Sequence, residues 1–322
     1  DPAVNVPRFD RFTASVQGFV QDNCHVMMHW VGRKWAAEHH MTLTRLQDVL
    51  PRSNSPFCSA GFGHGILTYL GPQVVKLGPK GALADCEKEG TRYQRYSCVH
   101  GLGHAYMRTY SELLPYALRA CTALGPRASP DCAQGAFHDY WLSLQGLDDT
   151  QPPAAAQRSV RKLCGRQQSR FVRVCWYRAI QENPPPDGVS GRAGILRTCA
   201  GLTGLQRAGC ITGATVVSSP DPFVQARTCA TLADRDRVDC VRAVATPNLA
   251  GKPLAEQLRL VGVCARFGAE RGGCVTWLGK SLAVVTDGRF GSDGCPRLAS
   301  GADCAACKDG AARMNDALET FS

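Results

Sequence analysis

The chain has 322 residues, 17 cysteines and a formal net charge of +10. That length buries a full-sized core and corresponds to about two domains. Only Cys304 and Cys307 stand at the C-x-x-C spacing common in zinc modules, which argues against a zinc-thiolate protein.

The cysteine content points instead to an oxidising compartment. No apolar run approaches the roughly 18 residues of a membrane-spanning helix, so no membrane span is expected. The start Asp1-Pro2-Ala3 lacks the basic, apolar and small-residue layout of a signal peptide and reads as a mature exported form: secreted, periplasmic or extracellular.

In chain order, the first motif is Cys24-His25-Val26-Met27-Met28-His29, followed by Cys58-Ser59-Ala60-Gly61-Phe62-Gly63-His64. A second copy reads Cys98-Val99-His100-Gly101-Leu102-Gly103-His104, followed by Cys132-Ala133-Gln134-Gly135-Ala136-Phe137-His138. From Cys86 onward the cysteines come in close pairs: Cys86/Cys98, Cys121/Cys132, Cys164/Cys175, Cys199/Cys210, Cys229/Cys240, Cys264/Cys274 and Cys295/Cys307. Second cysteines recur every 30–43 residues, the period of a helical-hairpin repeat. Helix-like stretches such as Leu113–Ala120 and Ala255–Val263 precede the first Cys of a pair, and breakers such as Gly125-Pro126 or Gly272-Gly273 fill the loop. Three places after the second Cys a small residue recurs (Gly61, Gly101, Gly135, Gly213, Ala243, Gly310), where a missing side chain admits a neighbouring helix backbone.

These features predict an all-α fold of disulfide-stapled helical hairpins, arranged like an α-solenoid. Each disulfide pins the elbow of a hairpin and contributes roughly 2–3 kcal/mol in the chain-entropy model. Pairing Cys24 with Cys58 by spacing leaves Cys304 over. Gln151-Pro152-Pro153 is the expected boundary between a histidine-rich helical domain over 1–150 and basic hairpin repeats over 151–322. Lys+Arg against Asp+Glu is 14 against 13 before that boundary and 23 against 14 after it, and all eight histidines lie at or before His138.

The histidine pattern is duplicated. Cys24 to Cys98, Cys58 to Cys132 and His64 to His138 are each offset by 74, while His25 to His100 and His29 to His104 are offset by 75. Residues i and i+4 share one helix face, so His25/His29 and His100/His104 are each placed to grip one ion. For eight histidines in 322 positions, chance yields about 0.2 such pairs, and two occur. Six residues after the second Cys, the early repeats carry His64, His104 and His138, whereas later ones carry Gln181, Val216, Thr246, Lys280 and Arg313. The hairpin does not need histidine there. The bland reading of any single one is a satisfied core histidine, and the duplicated register is what favours a metal site. His39 and His40 share no register with the second copy and read as surface or outer residues.

The donor set is imidazole-rich, and Glu38, Glu112 and Asp139 are the nearby acids, none of them duplicated. Such a set suits copper or zinc, with copper the tighter at equal availability. Two H-x3-H pairs, each with a third histidine, resemble the type-3 dicopper centre of tyrosinases and haemocyanins. The resemblance covers residues 24–138 and rests on the histidines. It implies two coppers, one held by His25, His29 and His64 and the other by His100, His104 and His138. It also implies dioxygen chemistry on a phenol or a peptide side chain. Met27 and Met28 read as core filling before soft copper ligands. The alternative is a non-catalytic, disulfide-rich interaction solenoid with structural or zinc-binding histidines. The basic second half reads as solvated helix faces or as a surface for an acidic partner such as a polysaccharide or acidic peptide. Arginine-interleaved aromatics of a nucleic-acid binder are not evident, so nucleic acid is not expected.

Overall fold

Thr91 ends one loop and starts a helix by accepting from the backbone N–H of Gln94 at 3.2 Å, while the Gln94 side chain accepts from the Thr91 N–H at 2.9 Å. This reciprocal cap satisfies two donors that a helix start otherwise leaves open. The helix it opens, Arg92–Thr109, is one of fifteen α-helices in the computed structural model, which describes residues 19–46, 58–111, 113–144, 160–249 and 251–314. No described residue lies in a β-strand, and the fold is all-α. No helix of the described residues is long and apolar enough to cross a membrane.

The chain divides into two compact units, Asp1–Arg158 and Ser159–Asp316. The boundary expected after residue 150 falls in the stretch 145–159, outside the described residues. In the first unit the helices are α1 (Phe19–Glu38), α2 (Cys58–Tyr69), α3 (Gly71–Cys86), α4 (Arg92–Thr109), α5 (Leu114–Ala123) and α6 (Ser129–Leu144). Packing runs in sequence from α1 to α2, α2 to α4 and α4 to α6, with α3 and α5 flanking α4 and α6. The second unit holds α7 (Val160–Cys164), α8 (Ser169–Glu182), α9 (Gly191–Thr198), α10 (Gly204–Ser218), α11 (Pro222–Ala230), α12 (Asp234–Val241), α13 (Leu254–Gly262), α14 (Arg271–Val285) and α15 (Gly301–Ala312). Here α8, α10, α12, α14 and α15 form one packed row, and α9, α11 and α13 form another beside it.

All seven close cysteine pairs are disulfides, with Cα–Cα distances of 5.4–5.7 Å. The side chains of Cys24 and Cys58 lie outside the described residues. Cys304 is a free thiol. Three staples depart from the α–α pattern: Cys199 caps the end of α9, Cys264 sits in the 3-10 segment Val263–Glu270, and Cys295 in the 3-10 turn Cys295–Arg297. Gly268, at φ +56°, bends the segment Val263–Glu270 in a conformation that favours glycine.

The small residues after the second cysteines set the helix spacing. A Cβ on Gly61 would come closer than 3.0 Å to the carbonyl oxygen of His25, and one on Gly135 would do the same to His100. Gly213 stands likewise over Tyr177, and Gly310 over Thr276. In the last three cases the carbonyl belongs to the residue two after a preceding second cysteine, so one contact rule recurs in both units. Gly101 differs, because there the close atoms belong to the side chains of Leu67 and His64. That interface between α2 and α4 carries imidazoles.

Candidate metal centre

The hairpin rule places histidines on facing helices. Gly61 and Gly135 draw the backbones at His25 and His100 close, and each later histidine, three residues further along its helix, projects into the same interior. His25 and His29 come from α1, His64 from α2, His100 and His104 from α4, and His138 from α6. The structure brings all six together, with ring centroids of neighbouring pairs 4.6–5.9 Å apart. His64, His100, His104 and His138 are buried, at 0–4% exposure, whereas His25 and His29 are half-buried. The cluster therefore opens on the α1 side.

Hydrogen bonds fix which nitrogen of three rings turns inward. His104 Nδ1 stands 3.1 Å from Asp139 Oδ1, and His100 Nδ1 stands 3.0 Å from Gln134 Oε1. His64 Nε2 stands 3.0 Å from the Ser97 carbonyl oxygen and 3.0 Å from its hydroxyl. Carbonyl and carboxylate oxygens only accept, so each of these ring nitrogens is the N–H donor. In the neutral imidazole the opposite nitrogen then carries a lone pair: Nε2 of His100 and His104, and Nδ1 of His64. Outer oxygen acceptors of this kind commonly orient metal-bound histidines. The Tyr96 hydroxyl donates to the same Gln134 oxygen and so holds the amide in place.

The ring nitrogens meet at ligand distances from one another. His25 Nε2 and His29 Nε2 are 3.1 Å apart, and His29 Nε2 lies 3.3 Å from His64 Nδ1. A tetrahedral ion with nitrogen ligands at about 2.0–2.1 Å separates neighbouring ligands by about 3.3–3.4 Å. Three overlapping triads have all ligand atoms within 4.8 Å of one another: His25/His29/His138, His29/His64/His104 and His100/His104/His138. His29, His104 and His138 each belong to two triads. The duplicated copies are thus interleaved, and His138 of the second copy stacks on His25 of the first at 5.8 Å. Imidazole donors in this arrangement are compatible with holding a metal ion.

The remaining sequence candidates fall elsewhere. His39 is exposed, stacks on Trp35 at 4.4 Å and bonds through Nδ1 to the Trp35 carbonyl at 2.9 Å. His40 is exposed and takes φ +47° just beyond the end of α1. Met28 is buried in the core and Met27 is 45% exposed. Glu38 is exposed near Lys34, and Glu112 lies outside the described residues. Tyr106, two residues after His104 on α4, is buried, and desolvation holds its hydroxyl protonated far above the ordinary tyrosine range.

Sequence reasoning missed Ser97, Gln134 and Tyr96. Gln134 had a usable signal, since it is the one amide in a run of small and apolar residues between Cys132 and His138. Shifted back by 74, Gln134 and Asp139 fall on Ala60 and Gly65, so these two acceptors were invisible to a search for duplicated residues. No protein-family model, no curated protein and no solved structure matches this chain.

Proposed function

We propose that the six histidines bind copper, two ions favoured, and that the protein uses dioxygen to oxidise a phenol or a peptide side chain in an exported setting. One observation carries this reading: the imidazoles of two H-x3-H helices meet in one cluster, with ring nitrogens of His64, His100 and His104 turned inward by oxygen acceptors behind them. The second unit supports it as a control. Its hairpins pack by the same glycine rule with Gln181, Val216 and Lys280 in the histidine register, so packing does not require the imidazoles. Copper is favoured over zinc because an imidazole set binds it more tightly at equal availability. The stapled cysteines offer no thiolate to redirect that choice.

Bound copper would supply one-electron chemistry towards dioxygen. The chain's own residues do the rest. Asp139, Gln134 and Ser97 hold three rings in one tautomer. Burial of His64, His100, His104 and His138 excludes bulk water from the inner side. Substrate approach falls to the α1 side, where His25 and His29 are half-buried.

The test is copper content, absorption spectrum and oxygen uptake with candidate phenols, on wild type, His64→Ala and His138→Ala. Each substitution should cost copper and abolish oxygen uptake while circular dichroism is kept. Wild-type protein that takes no copper from a copper-replete medium would remove this reading. The burial of four rings joining three helices favours the second reading, a zinc-stapled or structural cluster in a non-catalytic interaction solenoid. That reading expects zinc to raise the melting temperature without any oxygen uptake.

A further inference from the structure

The second unit gathers three arginines and one aspartate at one cavity. Its volume is about 470 Å³, and Arg227, Arg259 and Arg266 line it together with Asp221 and Phe223. Several other arginines of this unit are paired with acids, as in Arg207–Asp236, Arg237–Glu270 and Arg271–Asp303. None of the three cavity arginines pairs with a carboxylate among the described residues. Arg259 lies over the Phe223 ring at 4.4 Å, which holds its guanidinium in place and covers the cavity's aromatic face. Asp221 Oδ1 accepts from the Phe223 N–H at 2.8 Å, leaving the second carboxylate oxygen to accept from a ligand hydroxyl.

The repeat places one of these arginines, Arg227, in register. Arg227 stands two residues before Cys229, as Arg197 stands before Cys199 and Lys162 before Cys164, and all three are exposed. Disulfides at these cysteines give the positions a common orientation on successive first helices. Helix α9 with Arg197 touches α11 with Arg227, and α11 touches α13 with Arg259. Basic groups thus follow one another across packed helices, at the roughly 10 Å step that adjacent helices impose.

We propose that this row is a binding track for an anionic polysaccharide, with the three-arginine cavity as its principal subsite. Regularly spaced anionic groups suit a row of cations, and sugar hydroxyls suit the single acceptor Asp221. Guanidinium forks recognise carboxylate and sulfate oxygens. With Phe223 covered by Arg259, the cavity offers no open ring on which a nucleobase would stack. The inference does not rest on the metal reading.

The test is calorimetric binding of the full chain to polygalacturonate, its monomer galacturonate, poly-aspartate and neutral dextran. The variant Arg227→Ala/Arg259→Ala/Arg266→Ala is compared with Arg289→Ala/Arg297→Ala/Lys308→Ala, which removes three exposed charges off the track helices. Wild type should bind the acidic polysaccharide, and the cavity variant should lose about tenfold or more, as expected for three exposed ion pairs. The charge-matched control should lose less than about threefold. Equal losses in the two variants would overturn the site, because net charge alone would explain them. Tighter binding of poly-aspartate, or equal affinity for the monomer, would overturn a saccharide-chain track. Circular dichroism and melting temperature of both variants check that the fold persists.

Discussion

Replacing Asp139 with Asn tests whether His104 is a ligand held from behind. Asp139 Oδ1 stands 3.1 Å from His104 Nδ1, and the two residues are 3% and 0% exposed. The carboxylate accepts the Nδ1 proton, fixes the tautomer, and by its charge raises the basicity of the inward Nε2. Asparagine keeps the size and can offer its amide oxygen to the same proton, so the ring's orientation is largely kept while the charge is lost. Loss of such a partner weakens metal binding about 10–100-fold, or about 1.4–2.8 kcal/mol. The metal-free protein should respond the other way. A buried carboxylate has exchanged hydration for few hydrogen bonds, so its neutral isostere should leave stability unchanged or raise it by about 1 kcal/mol. The assay is chelator-competition titration with Cu(II) or Zn(II), paired with urea unfolding of the metal-free protein. Buried Trp141, two residues along α6, serves as the fluorescent probe. Wild-type metal affinity in Asp139→Asn would refute the reasoning, and so would a metal-free protein destabilised by several kcal/mol, which would make Asp139 a structural anchor.

Gly135→Ala should destabilise the first unit by about 3 kcal/mol or more, since the obstacle is the His100 carbonyl, which a rigid helix cannot withdraw. Gly273→Ala in α14, where nothing lies within 4 Å of the added methyl, should instead stabilise by about 0.5–1 kcal/mol; urea unfolding measures both. Replacing Cys199 and Cys210 with Ser should cost about 2.8 kcal/mol for a loop of this length, while Cys304→Ser, at a free thiol, should be neutral; melting curves and non-reducing peptide mapping check the pair. Burial raises the Tyr177 hydroxyl to about 12, so the native state holds its proton after the unfolded chain has lost it. Stability should therefore fall between about pH 10 and pH 12. Tyr177→Phe should shallow that slope, leaving the part due to buried Tyr106, and delete one late step from the absorbance titration at the tyrosinate band.

The hairpins were legible because both signals that define them are local. A disulfide joining Cys121 and Cys132 spans one elbow, and Gly125 at φ +89° sits inside that elbow, so spacing and breakers alone locate it. Helix limits followed the same way: Ala255–Val263 was expected and Leu254–Gly262 is found. The 3-10 character around Cys264 was not legible, because it depends on a single glycine torsion that composition does not specify.

The site divides along the same line. Periodicity and duplication, read from the chain alone, determined which six histidines belong to one constellation, because i,i+4 spacing and a repeat offset are properties of the sequence. Only tertiary packing decided how they mix. His138 stacks on His25 and His29 neighbours His104, pairings that cross the copies and arise because α1, α2, α4 and α6 pack closely enough for imidazoles to interleave. The tertiary structure also chose the acceptors. Ser97, Gln134 and Asp139 lie 33–35 residues from the rings they orient, a separation at which only the packed fold, and no local rule, brings an oxygen to the back of an imidazole.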